Sequence, residues 1–173
     1  MKKVIIITGP PGSGKSTISE KLAESFDKGV VINVDKIRHM IKGGYTNPWE
    51  NNVSSQKQKM LAIKNACDLA NNFSKSGFCV FIDDVITKKE SLNLYEKFLG
   101  SKIDLFLLLP SKKILIERDS KRKKDEIMGK RAIELYEKFY LVKGQFDWNV
   151  IDNSSLNIEA TVKEIKKYLL KCL

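Results

Sequence analysis

Gly9-Pro10-Pro11-Gly12-Ser13-Gly14-Lys15-Ser16 fills every fixed position of the pattern G-x-x-x-x-G-K-[ST]. The stretch follows an apolar run, Val4 to Thr8, and opens a segment in which Ile18, Leu22 and Phe26 recur at helical spacing. A strand that turns through glycines into a helix aims successive backbone N–H groups and a positive helix end at one point, which suits a phosphate. Two required glycines at about 7% average usage, with a lysine and a hydroxyl, make a chance match on the order of one in ten thousand windows or rarer. The expectation is a nucleotide-binding loop in which Gly9, Pro10, Pro11, Gly12, Ser13, Gly14, Lys15, Ser16 and Thr17 surround ATP. Lys15 reaches the β- and γ-phosphates and Ser16 offers its hydroxyl to Mg²⁺.

Outward from this loop, apolar runs bounded by turn residues recur at Val30 to Val34, Phe78 to Ile82, Ile103 to Leu109 and Asn149 to Asp152. They are continuous rather than alternating, as in parallel strands covered on both faces. Helical spacing lies between them: Met60, Ile63, Cys67 and Ala70, and later Ile158, Val162, Ile165 and Leu169. Strand and helix alternate, so the expected fold is a three-layer α/β P-loop NTPase fold with a five-stranded, mainly parallel sheet and helices on both faces. Ligands of such sheets bind outside the carboxyl ends of the strands. The 173 residues suit one domain, 1–173, with a small lid over about 118–131.

Asp35, in Val34-Asp35-Lys36-Ile37-Arg38, follows the second strand on the side where ligands bind. A carboxylate there can accept the proton of an acceptor hydroxyl and orient its oxygen for attack on phosphorus. Arg38, three residues on, shares its helix face. The plainer reading makes Asp35 the N-cap of a helix from Lys36 to Ile41 and Arg38 a surface residue. A cap can still present its second oxygen to a ligand, so both readings stand.

Phe78-Cys79-Val80-Phe81-Ile82-Asp83-Asp84 is an apolar strand ending in paired acids, the arrangement that holds Mg²⁺ or its waters. Asp83 and Asp84 both enter as metal candidates; the sequence does not divide the work between them, and one could instead cap the next helix. The run from Ile116 through Lys121-Arg122-Lys123-Lys124 to Arg131 reads as a lid, whose Arg118 and Arg122 could clamp a triphosphate while closure excludes water. A solvated basic helix accounts for the same residues. Gly43 to Trp49 is a turn-rich loop suited to an acceptor, and Asp152-Asn153-Ser154 ends the last strand where adenine could sit; surface turns explain both as well. His39, the sole histidine, is treated as structural.

The composition is that of a globular chain, 42% hydrophobic, with no run near the twenty apolar residues a membrane span needs. The short N-terminal apolar run leads straight into the phosphate motif, so a secretory leader is rejected and the expected location is cytoplasmic. Cys67, Cys79 and Cys172 fit no metal or redox spacing and read as reduced structural thiols. A formal charge of +10 admits nucleic acid, anionic lipid or polyphosphate without choosing among them.

With these residues in place, the chain resembles the P-loop kinases that include chloramphenicol phosphotransferase, zeta toxins and the kinase domain of bacteriophage polynucleotide kinase. The likeness runs through GPPGSGKS, VDKIR, FIDDV, KKDEIMG and VIDNS in the same order. It implies that Asp35 is the general base, that Arg38 contacts the acceptor side, and that Arg118 and Arg122 belong to the lid. It does not transfer the acceptor. The expectation is an ATP- and Mg²⁺-dependent kinase acting on a hydroxyl of a small-molecule or nucleoside-like acceptor, with no membrane partner. Nucleic acid, as in a polynucleotide 5′-hydroxyl kinase, is the second choice. A nucleotide-dependent ATPase or switch working through a protein partner is the reading from another class.

Overall fold

The computed structural model describes residues 4–50, 52–100 and 103–170. Five strands, β1 (Val4–Thr8), β2 (Gly29–Asn33), β3 (Cys79–Asp83), β4 (Asp104–Leu108) and β5 (Asn149–Ile151), form one sheet in the order β2-β3-β1-β4-β5. Every pairing is parallel, with Ile6 of β1 opposite Ile82 of β3 and Leu105 of β4. The helices are α1 (Lys15–Glu24), α2 (Val34–Arg38), α3 (Val53–Lys75), α4 (Lys89–Leu99), α5 (Lys112–Ser120), α6 (Lys130–Val142) and α7 (Ile158–Leu170). A 3₁₀ turn, Lys124–Glu126, stands between α5 and α6.

All five residues of β1 are buried, and its alternation feeds two separate cores. Val4 and Ile6 join Val80, Ile82, Leu105 and Leu107 under α3, α4 and α6. Ile5 and Ile7 join Phe81, Phe106 and Leu108 under α1 and α7. The crossover from β1 to β2 steps one way across the sheet with α1 on one face. Those from β2 to β3 and β3 to β4 step back with α3 and α4 on the other, as right-handed crossovers require. The direction of winding reverses beside β1, and the crevice at its carboxyl end is the expected ligand site.

Boundaries fall within one residue of the expected runs, with one instructive shift. Asn33 accepts a hydrogen bond from the Lys36 backbone N–H at 2.8 Å through its side chain and caps α2. The cap is therefore Asn33 rather than Asp35; Val34 is drawn into the helix, and Asp35 occupies its first turn. Met60 and Ile158 also depart from the expected buried stripes, at 46% and 39% exposure. Ile63, Cys67 and Ala70 of the expected α3 stripe are buried, with Ala62 and Ala66 beside them, and Ile158 opens α7 beside the ligand cleft.

Cys67 is fully buried, and burial pushes its thiol up to about 12. Cys79 begins β3 and packs against the core under α1. Cys172 lies outside the described residues. Among the described residues no helix is long and apolar enough to cross a membrane.

Candidate active site

The loop between β1 and α1 bends through Gly12 at φ +82° and Gly14 at φ +89°, a region that side-chain-bearing residues rarely adopt. At Gly12 a Cβ would stand 2.7 Å from the Leu115 carbonyl oxygen and 3.3 Å from the Asp119 backbone nitrogen, because α5 lies directly against the loop. Gly9, Pro10 and Ser13 are buried behind the loop surface. From the other side, Asn153 after β5 donates through Nδ2 to the Ser13 carbonyl at 3.0 Å. Arg118 of α5 donates through Nη2 to the Asn153 carbonyl at 2.9 Å. The phosphate loop is thus gripped between α5 and the segment that follows β5.

A cleft of about 1000 Å³ opens over it, lined by Pro11, Gly12, Gly14, Lys15, Ser16 and Thr17. Asn33, Lys36 and Asp83 form one wall; Arg118, Arg122 and Glu126 a second; Asn153, Leu156, Asn157 and Ile158 a third. Asp83, 2% exposed, accepts through Oδ2 from Ser16 Oγ at 2.6 Å and from Asn33 Nδ2 at 2.7 Å. Adjacent ligands on an octahedral Mg²⁺ stand roughly 3 Å apart, so the Ser16 hydroxyl and the Asp83 carboxylate suit one hard cation or its waters. Gly14, whose missing Cβ would meet only the Asn153 side chain at 3.9 Å, and the Lys15 side chain line the cleft and suit an anion bound through backbone N–H groups. The residues present therefore fit a nucleotide triphosphate with its metal.

Asp84 faces away from this pair. It is 6% exposed and accepts from Tyr95 Oη at 2.8 Å and from the Val85 backbone N–H at 2.7 Å. Burial lifts its carboxyl above the ordinary range; the Asp35 charge adds to the rise, while Lys59 and the two hydrogen bonds oppose it. Burial beside Asp84 likewise raises the Tyr95 phenol well above its ordinary value.

Asp35 is exposed on α2 and does not line the cleft, although its neighbour Lys36 does. Arg38 lies at the end of α2 at 5% exposure and donates through Nη2 to the Thr46 carbonyl at 3.1 Å and the Ser55 carbonyl at 3.4 Å. It is therefore buried, not the surface residue of the plainer reading, and its Nε has no hydrogen-bond partner. The loop beyond it is held to α3 by Gln58, which accepts from Thr46 N at 3.0 Å and donates to the Gly44 carbonyl at 2.7 Å. His39 shares a hydrogen bond with Tyr45 Oη at 3.1 Å, a partner the sequence did not disclose.

Two site residues escaped the sequence reading. Asn33 could have been found as a preferred helix cap three residues before Lys36. Asp119, in the last turn of α5, carries no local signal.

The sheet order, the glycine loop and the cleft above it define an α/β fold of the P-loop kinase type. The chain belongs to the AAA domain family, which it matches over residues 5–137. No curated protein matches it in sequence. Among solved structures it is similar to a sugar kinase from Janibacter sp. HTCC2649, with a TM-score of 0.74 and 14% identity over 98% of this chain and 95% of that one. It is similar to the tunicamycin resistance protein of Deinococcus radiodurans, with a TM-score of 0.73 and 18% identity over 98% and 96%. A third likeness is to shikimate kinase from Acinetobacter baumannii in complex with shikimate, TM-score 0.66, 15% identity, over 98% and 93%. At these identities the likeness is one of fold.

Proposed function

We propose that the protein is an ATP-dependent kinase that transfers the γ-phosphate to a hydroxyl of a small-molecule or nucleoside-like acceptor. The observation that carries this reading is the convergence of Lys15, Ser16, Asp83, Arg118 and Arg122 on one cleft over the glycine loop. The kinases among its structural neighbours agree with it. Bound Mg-ATP would supply the phosphoryl group and a cation that neutralises its charge.

The chain's own residues do the rest. Backbone N–H groups of the loop and the Lys15 ammonium hold the phosphates. Ser16 and Asp83 hold the metal, with Asn33 fixing the Asp83 oxygen. Arg118 and Arg122 add positive charge from the opposite wall, and residues 118–131 act as a lid that excludes water. Asp35, exposed at the start of α2, accepts the proton of the acceptor hydroxyl. Arg38 and the loop it anchors, residues 43–49, shape the acceptor side. Asp84, buried against Tyr95, supports that side rather than the metal.

The test is a screen for transfer of labelled γ-phosphate to nucleosides, aminoglycosides, phenicols, small alcohols and 5′-hydroxyl oligonucleotides, with Lys15→Ala as blank. A labelled product that Asp35→Ala abolishes, while nucleotide affinity stays within about twofold, supports the reading. Nucleotide hydrolysis that responds only to a protein partner, with no acceptor labelled, overturns it in favour of a switch.

A further inference from the structure

We propose that Asp119 is a positioning residue that couples the rest of the lid to the phosphate loop by fixing Arg122 and the segment of Met128 and Gly129 on the same carboxylate. Asp119 closes α5 at 3% exposure. A carboxylate so deeply buried must have its oxygens satisfied, and every hydrogen bond its side chain accepts comes from the lid. Oδ2 takes the Gly129 N–H at 2.7 Å and the Met128 N–H at 3.1 Å. Oδ1 takes the same Met128 N–H at 3.3 Å and Arg122 Nη1 at 3.5 Å.

The same residue touches the other half of the site. A Cβ placed on Gly12 would meet the Asp119 backbone nitrogen at 3.3 Å and its Cβ at 3.4 Å, so Asp119 sits directly on the loop that cradles phosphate. Arg122 is held between Asp119 and Glu126, whose Oε2 lies 3.7 Å from Nη2, and both Arg122 and Glu126 line the cleft. Movement of lid residues 122 and 128–129 is thereby tied to the position of Gly12. A carboxylate that merely capped α6 would need Met128 and Gly129 but not Arg122, and that difference is what can be measured.

The inference rests on the nucleotide-binding part of the proposed function and is tested without turnover. The probe is Mg²⁺ with a non-hydrolysable ATP analogue, read by its dissociation constant and by trypsin cleavage at the exposed Lys121, Lys123 and Lys124. Asp119→Asn keeps an acceptor for Gly129 but loses the charge facing Arg122. It is expected to weaken the analogue about tenfold, a size typical of contacting pairs, and to abolish analogue-induced protection from trypsin. Arg122→Ala, at a side chain 35% exposed, is expected to do the same. The double variant should be no weaker than Arg122→Ala by more than roughly twofold.

Losses that multiply in the double variant, or an Asp119→Asn protein that melts earlier yet binds and protects like the native chain, overturn the proposal and leave Asp119 as a cap. If Asp119→Asn does not fold, retention of trypsin protection by Arg122→Ala overturns it alone. Lys15→Ala separates the two readings. A native chain that binds the analogue no better than Lys15→Ala overturns the nucleotide site itself and the coupling with it.

Discussion

Ser16 Oγ donates to Asp83 Oδ2 across 2.6 Å, joining the first turn of α1 to the carboxyl end of β3, 67 residues further along the chain. The two oxygens belong to elements that meet only because β3 pairs with β1, with Ile7 opposite Asp83. Asn33, opposite Asp83 in β2, donates to the same oxygen. Three strands thus define one oxygen position.

Asp83→Asn and Ser16→Ala should each raise the Mg²⁺ concentration needed for half-maximal nucleotide binding by roughly 10–100-fold, the usual cost of disturbing a metal's immediate support. Asp84→Asn should leave that midpoint unchanged, because Asp84 is bound to Tyr95 on the other side of the strand. A Mg²⁺ titration of fluorescent-nucleotide binding checks all three. An equal shift in Asp84→Asn would return the metal assignment to both acids.

Asp84 also predicts a pH dependence. Burial raises its carboxyl, so the folded chain holds that proton more tightly than the unfolded chain does. Its contribution to stability is complete below about pH 4, the unfolded range, and is lost as pH climbs toward the raised folded value. The stability of the native chain relative to Asp84→Asn in urea melts should fall as pH rises above about 4 and be flat below. Parallel profiles for the two proteins would show that Asp84 does not titrate in this interval.

Arg38 donates to two carbonyls that belong to different elements, Thr46 in the loop and Ser55 in the first turn of α3. Removing a buried charged donor costs about 1–3 kcal/mol. Arg38→Ala should therefore destabilise the chain by about that amount and speed amide exchange across residues 44–50 before other regions. Arg38→Lys should recover only part, since lysine lacks the planar, weakly hydrated guanidinium whose single Nη2 reaches both carbonyls. Hydrogen exchange read by mass spectrometry distinguishes this local loosening from uniform destabilisation.

The strands and the glycine loop were legible because their signals are local: continuous Val, Ile, Leu and Phe runs, and a motif whose residues act within eight positions. The division of work between Asp83 and Asp84 was not legible. Asp83 shares strand parity with Phe81, which packs under α1, and Asp84 shares it with Ile82, which packs under α3 and α4. Parity separates the two acids, but which face carries the phosphate loop follows from the crossover geometry rather than from the run itself. The roles of Asn33 and Asp119 were not legible. Asn33 meets its partner Asp83 50 residues away, and Asp119 is recognisable only once Gly12 is known to lie beneath it. The plainer reading of Arg38 as a surface residue stood because a five-residue helix gives too little periodicity to show which side is buried.

The hydrogen bond from Asn153 to the Ser13 carbonyl spans 140 positions of chain. A ribosome delivers the glycine loop 140 residues before Asn153, so the loop's backing is missing while everything between them is made. The glycine motif is therefore a promise that the segment after β5 completes. A nascent chain halted before residue 149 carries every residue of the phosphate pattern without the wall that steadies it, and nucleotide can reward folding only once the far end has docked.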